Sequence, residues 1–402
     1  MTSKSAPILF LLFIIIVKIS TIRSWKIDYN KDADANLDEL IQKWGYDGIE
    51  SHFVTTTDGY ILNVLRIKRK GAGKLMPIIF VHGLTGCSES YFIGKNESAP
   101  IVFANNGYDI WLLNSRGTDR SLGHEKWNAT TDKEYWLFSW QEIGLFDLPS
   151  TIDLVLQKNE HKKVILLGHS EGSTVIFVML SEVPEYNEKV SLAVHWGSAV
   201  YHNDQCRSIP LFKIFCSIVH ILPDLLDSLG WYTIYPNRKI AQFLSDLCKF
   251  EEFRNVCNQI GQFVVFQKES PFLETVDWSY VFTKAFCGGS TREFIHYLQN
   301  AKSGQFAKYD FGASKNLQIY NSTESPVFRL RNIKSAQVIW CGSEDIHCKP
   351  SDIKRLTDQL TTVEWINIKV KSSLSHVDFL LVDDIQGRIY DDLLDILKKF
   401  TI

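Results

Sequence analysis

The chain has 402 residues, 45% of them hydrophobic, and a formal net charge of −3. That length supports a large core, as one big domain or as a domain carrying an insertion. The near balance of charge excludes a nucleic-acid-binding surface, which needs a basic excess.

At the N-terminus, Lys4 precedes the apolar run Ile8 to Val17, and Lys18 closes it. Such a run is too short to span a bilayer. It reads as a secretory signal peptide over residues 1–24, with cleavage between Ser20 and Trp25. A signal anchor is the alternative. No later stretch is long and apolar enough for a membrane helix, and Lys398–Ile402 carries no retention or lipid-anchor signal. On a secretory route the sequons at Asn96, Asn128 and Asn321 are glycan sites. The eight cysteines are then free to form disulfides. Cys248 and Cys257, close together in a polar helical stretch, form the first candidate pair, and Cys341 and Cys348 the second. No C-x-x-C pair suggests a metal, and no cofactor is implied.

After the leader, Leu37–Ile41 has a short helical pattern. Ser51–Thr57 and Tyr60–Ile67 alternate as strands around the hairpin turn Asp58-Gly59. Lys68-Arg69-Lys70, beside Gly71 and Gly73, reads as a solvated loop. Pro77–Val81 and Tyr108–Leu113 are apolar throughout, as in strands covered on both faces. Ser139–Gln157 has helical spacing. Val164–Leu167 is a further buried strand, and Val190–Trp196 another. This alternation predicts an α/β architecture with a mostly parallel sheet. The alternation stops near Tyr201. Residues 201–327 are helix-like and Phe-rich, and read as an inserted cap (lid). Ile218–Leu226 and Phe263–Phe266 are apolar stretches within it that suit a long acyl chain. The alternation resumes with the strand Ala336–Trp340, the helix Ser351–Leu360, the strand Val363–Val370 and the helix Asp383–Phe400. The expected division is therefore 25–200 and 328–402 for the core, with 201–327 as the cap.

The chemistry centres on Gly168-His169-Ser170-Glu171-Gly172, a G-x-S-x-G sequence between a strand and a helix. That context is a nucleophile elbow, with glycines where strand and helix pass too closely for side chains. Ser170 is the expected nucleophile. It needs a base, an acid to orient the base, and donors for the oxyanion. Asp345, just past a late strand, is the expected acid, and Glu344 is the alternative. His376, in the loop after the last strand, is the expected base. His347 is too near Asp345 in sequence to partner it. The order Ser170, Asp345, His376 is that of α/β-hydrolases. The backbone N–H of Glu171 supplies one oxyanion donor. The loop His82-Gly83-Leu84 supplies the other, at Leu84.

These motifs resemble those of the acid lipase family, which includes lysosomal acid lipases and gastric lipases. The resemblance runs from about Leu37 to the C-terminus. It is carried by Trp44-Gly45-Tyr46, Thr57-Asp58-Gly59-Tyr60-Ile61-Leu62, His82-Gly83-Leu84, Asn114-Ser115-Arg116-Gly117, Phe146-Asp147-Leu148-Pro149 and Gly168-His169-Ser170. In the cap it continues through Gly304-Gln305-Phe306 and Tyr309-Asp310-Phe311-Gly312. It implies an α/β-hydrolase fold with a cap, and the triad and oxyanion donors named above. It also implies a Cys248–Cys257 bridge and hydrolysis of triacylglycerols or cholesteryl esters, often at acidic pH. A lipid–water interface is the implied physical partner. One departure stands out, because the family usually has Gln where this chain has Glu171. An ionised carboxylate beside a developing oxyanion repels it, whereas a protonated one resembles Gln, so Glu171 is expected to favour acidic pH. A carboxylesterase acting on smaller esters and a catalytically silent lipid-binding protein are the alternative functions.

Overall fold

The computed structural model describes residues 35–68, 75–202, 205–208, 210–234, 238–264, 276–381 and 386–401. The leader 1–24 lies outside these residues. The basic run 68–70 and the apolar stretch 263–266 fall partly outside them.

A nine-stranded sheet organises the molecule, in the order β1-β2-β4-β3-β6-β7-β8-β9, with β5 paired to β2. Strands β1 (Gly48–Thr55) and β2 (Tyr60–Lys68) form the antiparallel hairpin. Strand β3 (Leu75–Val81) lies parallel to β4 (Tyr108–Asn114), and β5 is the short Gly123–His124. Strands β6 (Val164–His169), β7 (Val190–Trp196), β8 (Ala336–Gly342) and β9 (Ile366–Lys371) extend the parallel part. The last strand begins later than the sequence pattern suggests, because residues 360–365 form turns before the β8 register takes hold.

The continuous apolar strands fill cores on both faces. Ile79, Val81, Val164 and Leu166 point into one cluster, while Ile78, Phe80, Ile165 and Leu167 point into the other. This is the two-residue strand period of a doubly covered sheet. Helix α1 (Leu37–Lys43) and helix α2 (Ala99–Asn105) pack on the second cluster. Helix α3 (Leu148–Gln157) and helix α4 (Glu171–Glu182) pack on the first. The helical stretch leading into α3 starts at the N-cap Ser139 and passes through a wide turn at Ile143–Asp147 before Pro149, which lacks an amide hydrogen to donate.

Three of the sequence motifs converge on one buried ion cluster. Arg116 Nε donates to Asp147 Oδ1 at 2.7 Å, and its Nη1 to Asp58 Oδ2 at 2.6 Å. The guanidinium carbon stacks 3.9 Å from the Tyr60 ring centre. Arg116 and Asp147 are fully buried, so the cluster ties the β1–β2 turn, the end of β4 and the start of α3 together.

Between β7 and β8 the described residues are mainly helical and include α5 (Pro210–Ser217), α6 (Leu222–Ser228), α7 (Arg238–Cys248), α8 (Arg254–Val264) and α9 (Thr291–Ser303). They build two small apolar cores of their own, one around Phe212, Val219 and Leu298, the other around Cys257, Trp278 and Phe282. The second core also takes in Ile93 and Val377, which come from loops at the edge of the sheet. After β8 come α10 (Pro350–Thr357) and, near the C-terminus, α11 (Asp391–Leu397).

Disulfides join Cys248 to Cys257 and Cys341 to Cys348. Two further bridges, Cys206–Cys216 and Cys87–Cys287, were not anticipated from spacing. The last pair is 200 residues apart, so only the fold could bring it together.

Candidate active site

Every candidate catalytic residue sits just past the carboxyl end of a parallel strand. Ser170 follows β6, His82–Leu84 follow β3, Asp345 follows β8 and His376 follows β9. Strands β3 and β6 are neighbours, although β4 hydrogen-bonds on the other side of β3. The connections thus depart in opposite directions at β3 and β6. Crevices at such switch points are where open α/β sheets hold ligands.

The elbow is sharp. Ser170 has φ 55° and ψ −116°, a left-handed conformation that a non-glycine residue adopts only under constraint. The constraint comes from both flanks. A Cβ on Gly172 would lie 1.9 Å from the Val81 carbonyl oxygen, and one on Gly168 would lie 2.5 Å from the Gly172 carbonyl carbon. Glycines therefore allow β6, α4 and the end of β3 to touch. The Ser170 N–H donates to the Trp196 carbonyl at 2.9 Å, pinning the turn to β7.

His376 Nε2 lies 2.8 Å from Ser170 Oγ. Its Nδ1 lies 3.0 and 3.1 Å from the two Asp345 carboxylate oxygens. The His376 loop is fixed on both sides. Ser375 N–H and Oγ–H donate to Asp378 Oδ2, each at 2.7 Å, and His169 Nε2 reaches the His376 carbonyl at 2.9 Å. Asp345 is fixed by backbone donors, His347 N–H at 2.7 Å and Cys348 N–H at 3.2 Å. Burial alone would raise the Asp345 pKa, but the His376 ring and these donors hold it below the ordinary carboxylate value. Glu344, the alternative acid, is exposed.

The loop after β3 lies against the elbow, where a Cβ on Gly83 would come 3.1 Å from Ser170 Cβ. His82 braces this loop, with Nδ1 at 2.9 Å from the Gly83 carbonyl and Nε2 at 2.7 Å from Ser115 Oγ. Burial lowers its pKa to about 4, so it stays neutral. The segment between β7 and β8 holds the same loop, where the Cys287 N–H donates to the Thr85 carbonyl at 2.7 Å and Cys287 is bonded to Cys87.

Several neighbours carried no role in the sequence reading. The His347 ring stands 4.6 Å from the His376 ring, and its Nδ1 lies 2.7 Å from Gln205 Nε2. Gln205 also reaches His202 Nδ1 at 3.1 Å. Burial, then the His376 ring, lowers the His347 pKa. His169 was visible inside the elbow motif, but the contact of its ring with the His376 carbonyl was not. Gly197, at φ +59°, leaves the space in which His376 and Asp345 meet. The Glu171 carboxyl is buried and lies within hydrogen-bonding reach of the buried Glu293 carboxyl of α9. Asn96, Asn128 and Asn321 are all exposed.

Residues 37–95 match the partial α/β-hydrolase lipase region, and residues 76–212 match the α/β hydrolase fold. Lipase 3 of Drosophila melanogaster is 31% identical over 370 residues, covering 90% of this chain and 92% of its own. The chain belongs to the acid lipase family of α/β-hydrolases. Gastric triacylglycerol lipase of Bos taurus is 29% identical, with 93% of this chain and 94% of the relative covered. Lysosomal acid lipase/cholesteryl ester hydrolase of Rattus norvegicus is also 29% identical, with 92% of each chain covered. A soluble variant of monoglyceride lipase from Saccharomyces cerevisiae superposes with a TM-score of 0.53 at 14% identity, over 87% of this chain and 95% of that one. At that identity the superposition speaks only for the fold. As a member of this acid lipase family, the chain is a carboxylic ester hydrolase.

Proposed function

We propose that this acid lipase hydrolyses neutral lipid esters, triacylglycerols or cholesteryl esters, through an acyl-enzyme on Ser170. The reading rests above all on the 2.8 Å approach of His376 Nε2 to Ser170 Oγ. His376 takes the hydroxyl proton as Ser170 Oγ attacks the ester carbonyl, and Asp345 holds the imidazole at Nδ1. The carbonyl oxygen becomes an oxyanion facing the N–H groups of Leu84 and Glu171. His376 returns the proton to the departing alcohol. Water, deprotonated by His376, then cleaves the acyl-enzyme and releases the fatty acid.

Residues 201–327 act as the cap in this reading. Its outer surface exposes Ile214, Ile221, Leu225, Leu229 and Trp231, the last with 62% of its surface in solvent. Residues 221, 225 and 229 recur every fourth position, so α6 and its flanks present one apolar face. Such a face suits a lipid–water interface. Among the described residues no helix is long and apolar enough to cross a membrane. The leader, the three exposed sequons and the disulfides fit a secreted or lysosomal enzyme.

Wild type and Ser170→Ala should be assayed on emulsified triacylglycerol, cholesteryl ester and a short-chain ester at acidic and neutral pH. The reading expects long-chain hydrolysis that Ser170→Ala abolishes. Hydrolysis confined to the short ester would replace it with a carboxylesterase. No hydrolysis would leave a lipid-binding protein.

A further inference from the structure

Next to the nucleophile, two glutamates lie side by side, with no cation between them among the described residues. Glu171 opens α4 next to Ser170, and Glu293 sits in the first turn of α9. Both are buried, with 2% and 3% of their surface exposed. Their carboxyls lie within hydrogen-bonding reach of each other, and a bond between them requires at least one proton on the pair. Like charges this close in a dry site cannot both ionise.

The surroundings decide which carboxyl holds the proton. Glu293 accepts the Ser290 N–H in a capping box, a contact that favours its ionised form. Glu171 has no such donor, and among the described residues its Oε2 has no hydrogen-bond partner. The protonated Glu171 carboxyl therefore donates to Glu293. The other titratable groups facing the pair offer no compensation. Tyr297 of α9 points its hydroxyl at Thr174 Oγ1, 3.0 Å away, and the nearby cation, Arg116, is shared between Asp147 and Asp58. Burial, and then the neighbouring carboxyl, raise the Glu171 pKa, and burial raises that of Glu293.

We propose that Glu293 is a positioning residue for ester hydrolysis. Its carboxyl holds Glu171, and with it the Glu171 N–H beside Ser170, through a hydrogen bond that lasts only while Glu171 keeps its proton. The proposal rests on the assignment of that N–H as an oxyanion donor. The same bond ties α9 of the insertion to the elbow. Loss of the proton breaks the bond and leaves an unpaired negative charge behind the forming oxyanion, so activity falls on the alkaline side.

The test compares kcat and KM across pH for wild type, Glu171→Gln, Glu293→Gln and Glu293→Ala, with Ser170→Ala as the blank. Glu171→Gln keeps a donor to Glu293 without a titratable proton, so its alkaline limb should move up by about one pH unit or more. Glu293→Ala should lower kcat about tenfold with little change in KM, and Glu293→Gln should restore most of it. Thermal unfolding provides a readout free of activity. Raised carboxyl pKa values stabilise the fold most below the unfolded value, and that stability is lost as pH rises through the folded values. The Tm of wild type relative to that of Glu171→Gln should thus fall from acidic to alkaline pH, whatever the histidines contribute to both curves. Superimposed pH profiles and parallel Tm curves would overturn the proposal, as would an unchanged kcat in Glu293→Ala. If Glu293→Ala does not fold, the two size-preserving Gln variants decide. Absence of ester hydrolysis by wild type would sink the functional reading as well. Hydrolysis lost in Ser170→Ala, together with superimposed profiles, would sink this proposal alone.

Discussion

His376 Nε2 stands 2.8 Å from Ser170 Oγ although 206 residues separate them along the chain. Strand β9 lies three strands away from β6 in the sheet, so the contact depends on the loop 372–377 reaching back across the ends of β8 and β7. Asp345 Oδ2 meets the far side of the same ring at 3.0 Å. Asp345→Asn should leave the fold intact and lower kcat by about 10³–10⁴-fold, by removing the acceptor that fixes the His376 tautomer. Glu344→Gln, at an exposed position one residue earlier, should retain wild-type kcat. Steady-state kinetics on one ester distinguishes the two carboxylates, and equal losses would reject the assignment.

Gly197 should prove as sensitive as a triad member without being one. A Cβ there would lie 3.0 Å from His376 Nδ1 and 3.1 Å from Asp345 Oδ2, on a backbone already at φ +59°. Gly197→Ala should reduce kcat by about 10–100-fold through misplacement of the imidazole. Its Tm should fall by only a few degrees. Kinetics and calorimetry on the same preparation test the pair of expectations.

The Cys87–Cys287 bridge closes a loop of 200 residues. Replacing both cysteines by Ser should cost about 2–5 kcal/mol of stability. Because Cys287 N–H also holds the Thr85 carbonyl, next to Leu84, the proposed oxyanion donor, kcat should fall more than KM changes. Denaturant titration and kinetics of the double variant would show it. A stability loss with unchanged kcat would separate the bridge from the site.

Arg116→Met should be among the most damaging substitutions outside the triad. It removes the cation from the buried Asp147 carboxylate, which keeps the backbone N–H of residue 116 at 2.8 Å but loses its counter-charge, at a cost of about 3–5 kcal/mol. The penalty should shrink in acid, where Asp147 can protonate. Urea titrations at neutral and acidic pH provide the comparison, and a penalty that grew in acid would contradict it.

The buried histidines set a limit on acid stability. Burial lowers the pKa of His169, His195 and His296 to about 3, and of His82 and His202 to about 4. A depressed histidine contributes stability above the unfolded value of about 6.5, and that stability is lost as pH falls toward the folded value. The Tm should therefore decline from about pH 6.5 toward pH 4, against the opposite trend of Glu171 and Glu293. His195→Gln, which replaces a ring held 2.8 Å from Gln337 Oε1, should flatten that decline. A Tm that climbs steadily down to pH 4 would contradict the expectation.

Much of this enzyme is written in local pattern. The apolar strands of Pro77–Val81 and Val164–Leu167, the glycines around Ser170, and the order Ser170, Asp345, His376 follow from strand periodicity and turn sterics, which act over a few residues. What those rules cannot reach is contact across the sheet. Cys87 and Cys287 give no spacing signal, because their meeting depends on how the segment between β7 and β8 packs on the loop after β3. Glu293 shows itself in sequence as the third residue of a capping box, but nothing local says that its carboxyl will find Glu171. Sequence neighbourhood with Ser170 suggests an oxyanion neighbour for the Glu171 carboxyl, but not that the fold buries it within reach of Glu293 on α9. Sequence spacing fixes which residues share a turn, whereas the direction of each buried side chain is set by the packing of elements far apart along the chain.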